Sequence, residues 1–332
     1  MPVKLIEDKQ LWDRFIDKSP RGLVFHRWDF LKLLEKYSTY QLLPYGIYKG
    51  EELICVFPLF YKKILGQKVL FCPPPQSGVP YIGPVLHWNY DSFKQDKKES
   101  YINLAAREID SEIRKISPRY LQVCLTPGLI DIRPFINLNY GTIPSFTYIW
   151  DLNPPIEDIW NSCARVCKQN IRKGLSRNYE LEKSTDHSQL VELLTERYID
   201  KGKSFVVNSQ FLGEVQQTFP ESCSLYYLCD NDEKVSGILT YEQKGYVFGW
   251  LGLPKPKETK DTYANEVLLW KLIERAKLEG HTTLEVAGAN TLEMCVFRNK
   301  LNPQLEICFK LYKKGLVGVV GEKAWEIFMK KR

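Results

Sequence analysis

Residues 224–288 read SLYYLCDNDEKVSGILTYEQKGYVFGWLGLPKPKETKDTYANEVLLWKLIERAKLEGHTTLEVAG. The first part holds two β-rich runs around Asp230, Asn231 and Asp232, the pattern of a hairpin. GYVFGWLGL, 245–253, reads as a third strand. From Tyr263 the period lengthens: Val267, Leu268, Trp270, Leu272, Ile273 and Ala276 fall on one side of a helix, and Gly280 closes it. TTLEVAG, 282–288, is the strand that follows. The predicted order is hairpin, strand, helix, strand.

The same order stands earlier in the chain. LPYGIYKGEELICVFPLFYKK, 43–63, reads as a hairpin turning at Lys49 and Gly50. FCPPPQSGVPYIGPVL, 71–86, is rich in Pro and Gly and reads as a loop framing a short strand. SYINLAAREIDSEIRKI, 100–116, has helical period through Ile102, Ala105, Ala106, Ile109, Ile113 and Ile116. YLQVCL, 120–125, reads as a buried strand. Two copies of one order imply an internal duplication. The seam falls in DLNPPIEDIW, 151–160, where Pro154 and Pro155 interrupt any element and favour a helix start. The expectation is a mixed α/β protein of two domains, 1–152 and 153–332.

Composition agrees with that size. A chain of 332 residues fits two domains at roughly 150 residues each. Apolar residues at 44% and charged residues at 26% suit a globular protein with a sizeable core and exclude a disordered chain. The net charge of +6 favours anionic partners slightly, so the distribution of charge matters more than its sum. The nine cysteines, 55, 72, 124, 163, 167, 223, 229, 295 and 308, sit mostly in apolar runs and form no CxxC. The four histidines, 26, 87, 187 and 281, show no ligand spacing. Buried free thiols and no metal site are expected. MPVKLIEDKQLW lacks the pattern of a signal peptide, and no apolar run approaches the roughly 18 residues of a membrane-spanning helix. The expectation is a cytoplasmic protein without a transmembrane segment.

One stretch departs from this ordinary picture. NSCARVCKQNIRKGLSRN, 161–178, holds five cations and no acid. Helical period over 156–177 puts Trp160, Cys163, Ala164, Cys167, Ile171 and Leu175 on one side, with Cys163 and Cys167 on one face. Arg165, Lys168 and Arg172 form an adjoining stripe, and Lys173 and Arg177 lie further round. Solvated helix faces usually mix charges, because opposite charges three or four apart stabilise a helix and like charges cost a few tenths of a kcal/mol. An acid-free stripe is either a plain solvated face or a grip for phosphate, to which Arg offers paired donors.

The motifs together resemble the Fem-type aminoacyltransferases and the related FemAB-like acyltransferases. FHRWDFLKLLE, 25–35, is similar to the family's early helix. VCKQNIRKGLSRNYELE is similar to the helix opening its second domain, with Lys168, Asn170, Ile171, Arg172 and Lys173 matching. TYANEVLLWKLIERAKLEGHTTLEVAGAN and VFRNKLNPQLEICFKLY resemble two later motifs. The family's Phe-Lys is Phe297-Arg298 here, with the lysine displaced to Lys300, and its Phe-Gly-Gly is replaced by Leu301-Asn302-Pro303. The resemblance implies two tandem GNAT-like domains. It implies that Trp28, Lys168, Arg172 and Lys173 bind a phosphate-containing acceptor. It places Arg298 and Lys300 near the reacting ester.

Tyr241, Trp250, Tyr263 and Glu285 lie at or near strand ends of the second copy. Tyr241 is a candidate catalytic residue, and Trp250 and Tyr263 are candidates for substrate binding. AGANT, 287–291, reads either as a backbone donor site or as a tight turn. The loops where a GNAT fold would cradle the pyrophosphate of acyl-CoA are HWNYDSFKQDKKES and KPKETKDTY. Neither contains glycine, so close backbone approach to a pyrophosphate is disfavoured. Lys255, Lys257 and Lys260 remain as point charges. The expected co-substrate is aminoacyl-tRNA, with acyl-CoA as the alternative, and no tightly bound cofactor. No G-x-S-x-G and no Ser/His/Asp set point to a covalent intermediate. The basic tail GEKAWEIFMKKR either packs on the body or touches anionic lipid beside a membrane-linked precursor. The expected function is Fem-like transfer of an aminoacyl or acyl group to an amine of a cell-envelope or peptidoglycan-type precursor. The alternatives are a CoA-dependent N-acyltransferase acting on a small amine or amino sugar, and a non-catalytic binder of a nucleotide-linked ligand.

Overall fold

The computed structural model describes residues 2–177, 179–200, 207–230, 233–243, 245–254 and 263–314. The hairpin residues Asn231 and Asp232, the lysines 255, 257 and 260, and the tail 321–332 lie outside these residues. In chain order the elements are β1 (Val3–Leu5), α1 (Lys9–Lys18), α2 (Trp28–Ser38), β2 (Gln41–Lys49), β3 (Glu52–Ile64), β4 (Gln67–Cys72) and β5 (Val85–Leu86). Then come α3 (Gln95–Ile116), β6 (Tyr120–Cys124), α4 (Arg133–Asn137), β7 (Gly141–Asp151), α5 (Ile156–Ser162), α6 (Arg165–Leu175), β8 (Glu180–Ser184), α7 (Ser188–Asp200) and α8 (Ser209–Thr218). The chain continues through β9 (Cys223–Asp230), β10 (Glu233–Gln243), β11 (Tyr246–Gly252), α9 (Ala264–Leu278), β12 (Thr283–Val286), α10 (Leu292–Arg298) and β13 (Gln304–Lys314).

The chain forms two compact units. The first runs to Ser145 and resumes at Ile307, and the second spans Phe146–Glu306. The strand order of the first is β1-β2-β3-β4-β6-β13, with β5 paired to β3. Its ladder is antiparallel from β1 to β4, parallel between β4 and β6, and antiparallel between β6 and β13. The strand order of the second is β8-β9-β10-β11-β12-β7. Its ladder is antiparallel from β8 to β11, parallel between β11 and β12, and antiparallel between β12 and β7. The pairing pattern is therefore the same strand for strand. In each unit a helix, α3 or α9, makes the crossover that a parallel pair requires. Each ladder ends on a strand that the duplicated order did not include. The first takes residues from the far end of the chain, with Lys310 opposite Cys124. The second takes residues 148–151, with Tyr148 opposite Val286. The single boundary expected at 152/153 therefore meets a chain whose first unit includes the strand residues 307–314.

The core of the second unit lies on one face of its sheet, under α6 and α9. Tyr148, Trp150, Val247, Leu284 and Val286 meet Cys167, Ile171, Val267, Leu268, Leu272 and Ile273 there, all buried. The expected continuous helix over 156–177 is two helices. Cys163 and Ala164 are extended, with ψ of 146° and 143°. The Ala164 N–H is withdrawn from a helical ladder by the carbonyl of Lys300 at 2.8 Å. Cys163 ends α5 and Cys167 lies in α6, so they do not share one helix face, although both are buried. The break lets α6 turn onto α9. Gly174 makes their contact close, because a Cβ there would lie 2.3 Å from Val267 Cγ2.

All nine cysteines are free, seven buried and two, Cys124 and Cys295, part-buried. Burial pushes the Cys167 thiol up to about 12, with Glu266 adding to the shift. Among the described residues no helix is long and apolar enough to cross a membrane.

Candidate functional site

The second unit collects most of the residues singled out above, and sorts them onto two faces of its sheet. On the α6/α9 face, the break at Ala164 leaves Arg165, Lys168, Arg172 and Lys173 in one helix of eleven residues. None of these four forms an ion pair with a carboxylate among the described residues. Lys168 Nζ donates to the carbonyl of Asn161 at 3.1 Å. The Arg172 guanidinium lies over the Trp160 ring at 5.5 Å, and Trp160 packs edge-on against Trp270. Lys173 Nζ lies 5.8 Å from the centre of the Tyr263 ring. Tyr263 is the residue at which α9 begins, so the basic row borders the first turn of that helix. Aromatic faces hold cations without neutralising them, and the row keeps its positive field.

Lys300 joins the same surface. Its carbonyl receives the Ala164 N–H, which ties it to the start of α6. Its ammonium donates to Glu266 Oε1 at 3.1 Å. Glu266 is buried in the first turn of α9, and its Oε2 has no partner. This carboxylate holds a cation at the rim and keeps one free acceptor oxygen.

Arg298 ends α10 and is buried. Its Nη1 donates to the carbonyls of Val286, Ala287 and Gly288 at 3.1, 2.6 and 2.6 Å. Burial pulls its pKa down to about 10. The guanidinium thus clamps the end of β12, and its Nε has no partner. The AGANT stretch is an irregular segment pinned to β7. Gly288 has φ of +97°, the Ala289 N–H donates to Phe146, and Asn290 bonds Phe146 through both its amide and its carbonyl.

Tyr241 and Trp250 stand on the opposite face of the sheet. Tyr241 is buried edge-on against Phe219, and Trp250 against Phe211 of α8. Glu285 is fully buried on that face, accepting from Thr147 Oγ1 at 2.6 Å and from the Tyr246 hydroxyl. Trp28 belongs to the first unit. Its N–H donates to Asp13 Oδ1 at 2.8 Å, which caps α2, and its ring meets Trp12 edge-on.

One cluster was not foreseen. Glu242, Glu279 and His281 bring ligand atoms within 4.8 Å of one another. Arg275 already sits among them, donating to both oxygens of Glu242 at 2.8 and 3.0 Å and also to Glu279. A guanidinium there repels a cation, so the arrangement is an ion-pair network.

The chain can now be set beside known proteins. Residues 161–292 match the model of an acetyltransferase (GNAT) domain. No curated protein matches the chain at the sequence level. Solved structures match over nearly its whole length. FemX aligns over 93% of this chain and 97% of its own, with 12% identity and a TM-score of 0.68. L-PGS from Bacillus licheniformis aligns over 98% of both chains, with 12% identity and a TM-score of 0.57. A tandem GNAT protein from the clavulanic acid biosynthesis pathway aligns over 93% and 98%, with 10% identity and a TM-score of 0.50. The matched segment and these structures together show a two-domain GNAT-like fold, of the kind that FemX has.

Proposed function

We propose that this protein transfers an activated aminoacyl group to an amine of a phosphate-bearing acceptor of the cell-envelope type. The observation that carries the reading is the row Arg165, Lys168, Arg172 and Lys173, which has no carboxylate partner among the described residues and borders the start of α9. Like charges along one helix destabilise it, and phosphate oxygens would offset that cost with charge-assisted hydrogen bonds. FemX and L-PGS, which share the fold, support an aminoacyl donor and hence aminoacyl-tRNA. The matched acetyltransferase domain supports acyl-CoA as the alternative donor.

The chemistry is a substitution at a carbonyl carbon. The amine lone pair attacks the ester or thioester carbon, a C–N bond forms, and the C–O or C–S bond breaks. The proton lost by the amine ends on the leaving oxygen or sulfur, so charge and electrons balance. Such a step needs an oriented amine and a donor for the developing oxyanion. In this reading Lys300 supplies that positive charge at the rim, held by Glu266. Arg298 positions the end of β12 and does not itself touch substrate. Lys168, Arg172, Lys173 and Tyr263 orient the acceptor. Trp28, Tyr241 and Trp250 stabilise their packing neighbours.

The test pairs two donors with one variant. Release of tRNA or of CoA is followed with a UDP-linked peptide precursor as acceptor, and acceptor binding is measured by calorimetry. Arg172→Gln is expected to weaken acceptor binding by about 1–3 kcal/mol, the value of a hydrogen bond to a charged group. Unchanged affinity would remove the basic row from the site. Turnover of acetyl-CoA without turnover of charged tRNA would replace the donor.

A further inference from the structure

Of the nine free cysteines, Cys55, Cys72, Cys163, Cys167, Cys223, Cys229 and Cys308 are buried. Burial pushes the thiols of Cys55, Cys72, Cys163, Cys167, Cys223 and Cys229 up. Cys124 is part-buried, and burial still raises its thiol, against the pull of Lys310. A thiol reacts as its thiolate and only where a reagent can reach it, so such surroundings make inert core residues.

Cys295 stands in different company. It lies at the middle of α10 and is part-buried, between Met294 and Val296, which are 36% and 53% exposed. Its Sγ donates to the carbonyl of Ala289 at 3.5 Å. The hydroxyl of Tyr148, a buried residue of β7, hydrogen-bonds the same sulfur. Burial first, and then this bond, raise the Tyr148 pKa, so the phenol keeps its proton and stays a donor. One turn further along α10, the Arg298 guanidinium acts on both groups.

Arg298 is itself incompletely satisfied. It is 6% exposed, and among the described residues no carboxylate pairs with it. Its Nη1 is spent on the carbonyls of 286–288, while its buried Nε has no partner. A buried cation without a counter-charge is costly, and a buried N–H without an acceptor adds to the cost. Negative charge that develops beside it, or an oxygen placed there, relieves both. Met294 completes the surroundings, since its Sδ would lie 3.3 Å from a Cβ on Gly288, whose carbonyl Arg298 holds.

We infer that Cys295 is a modification site, a thiol that hydrogen peroxide oxidises to a sulfenic acid with the Arg298 guanidinium and the Tyr148 hydroxyl as its supporting donors. The sulfur attacks one peroxide oxygen, an S–O bond forms and the O–O bond breaks. The other oxygen leaves as hydroxide and takes up the proton that the thiol gave up, so water is the second product. Sulfur loses two electrons and the peroxide gains them. The developing charge on the departing oxygen is what a nearby guanidinium stabilises. The oxygen left on sulfur is an acceptor for Arg298 Nε. Oxidation of a surface helix is thereby tied to the side chain that holds the end of β12. This chemistry is independent of acyl transfer.

The test exposes the full chain to hydrogen peroxide with a cyclic dione that traps sulfenic acids, and follows each cysteine by peptide mass spectrometry. Cys295 is expected to be trapped first, severalfold faster than any other cysteine. Trapping of another cysteine first, or of none, would overturn the site. In Arg298→Gln, which removes the charge and keeps an amide donor, trapping at Cys295 is expected to slow severalfold, with part of the rate restored in Arg298→Lys. An unaltered rate in folded Arg298→Gln would overturn the role of the guanidinium. A second readout needs no substitution: the unaltered protein is compared with itself unfolded in denaturant, where all nine thiols are exposed. Cys295 is expected to react faster in the folded protein, and the buried cysteines faster in the unfolded one. A folded-state rate at Cys295 equal to or below the unfolded rate would show that its neighbours give no assistance, and would overturn the inference.

Discussion

In the first unit the parting of β4 and β6 is closed by Ile82 and Gly83, seated on Leu125, Cys72 and His26. In the second, the described residues that leave β11 turn back over Gly237, whose carbonyl accepts from the Leu253 N–H. The ladders match strand for strand, so among the described residues the difference lies in what the end of the parallel pair meets: returning main chain in the first unit, the Arg298 guanidinium in the second. A connection that satisfies the open main-chain groups makes a structural domain. In the second unit a side chain, Arg298, holds the carbonyls at the end of β12, and the cationic row on α6 marks the candidate binding surface. The duplicated fold supplies the parallel pair, and side chains such as His26 and Arg298 secure what meets its end.

The sharpest way to break the comparison is at Arg298. Arg298→Ala leaves the carbonyls of Val286, Ala287 and Gly288 without their shared donor. Stranding a buried acceptor such as the Val286 carbonyl costs about 1–3 kcal/mol, and the part-exposed carbonyls of Ala287 and Gly288 cost less because water reaches them. A loss of roughly 3–5 kcal/mol is expected in denaturant unfolding, a size reserved for broken buried networks. A loss under about 1 kcal/mol would show that the end of β12 stands without the clamp.

The counterpart in the first unit is His26. His26→Ala strands the Ile82 carbonyl and removes the acceptor of the Leu23 N–H. A loss of about 2–4 kcal/mol is expected, with faster exchange at 79–86. His26→Gln keeps one amide donor and should recover part of it. Unfolding that ignores both variants would mean the segment is held by apolar packing alone.

Gly174 tests how closely α6 must lie against α9. Alanine is a better helix former than glycine by roughly 0.5–1 kcal/mol. Its Cβ would sit 2.3 Å from Val267 Cγ2, and overpacking of that kind costs typically about 1–3 kcal/mol. The clash is the larger effect, so Gly174→Ala should destabilise by about 1 kcal/mol net. A stabilised variant would show that α6 can move outward without penalty.

What the sequence made legible follows from how local each signal is. Hairpin, strand, helix and strand are written in short periods, and the second copy read correctly from residues close together, while the first copy's third strand lies at Gln67–Cys72, ahead of the 71–86 stretch in which it was expected. Their final strands do not. Residues 310–314 pair with 120–124 through a register that no local period carries. The break at Cys163 and Ala164 was hidden for a related reason. Apolar residues keep helical spacing through it, and the interruption comes from a bond to Lys300, far along the chain. At the candidate site, the row on α6 was visible as a stripe of like charge. The faces of Tyr241 and Trp250 were not, because strand ends are readable from sequence while the side of a twice-covered sheet is not. The burial of Arg298 on three carbonyls had no sequence signal beyond the resemblance that pointed to the position.

Acid sharpens the comparison most finely, since each unit buries one histidine whose pKa is lowered by burial. In the first, His87 is lowered by burial, against the pull of Glu52, and Lys97 and Lys18 lower it further. Its Nδ1 accepts the Asn89 N–H at 3.2 Å, a bond that a second ring proton would destroy. In the second, burial lowers His187, with Asp186 opposing, and its Nε2 has no partner. A folded-state pKa below the unfolded value near 6.5 means that the unfolded chain binds more protons in the window beneath it. The stability is therefore complete above about pH 6.5 and is lost as the pH falls toward the folded values. One proton of difference changes stability by at most about 1.4 kcal/mol per pH unit. His87→Gln and His187→Gln should each flatten the fall in unfolding free energy between pH 7.5 and 5.5. Local exchange should assign the two effects to separate units. A slope that survives both substitutions would place the acid sensitivity in the carboxylate pairs, such as Asp110 with Lys313 and Tyr140, whose pKa is held down by hydrogen bonds despite burial.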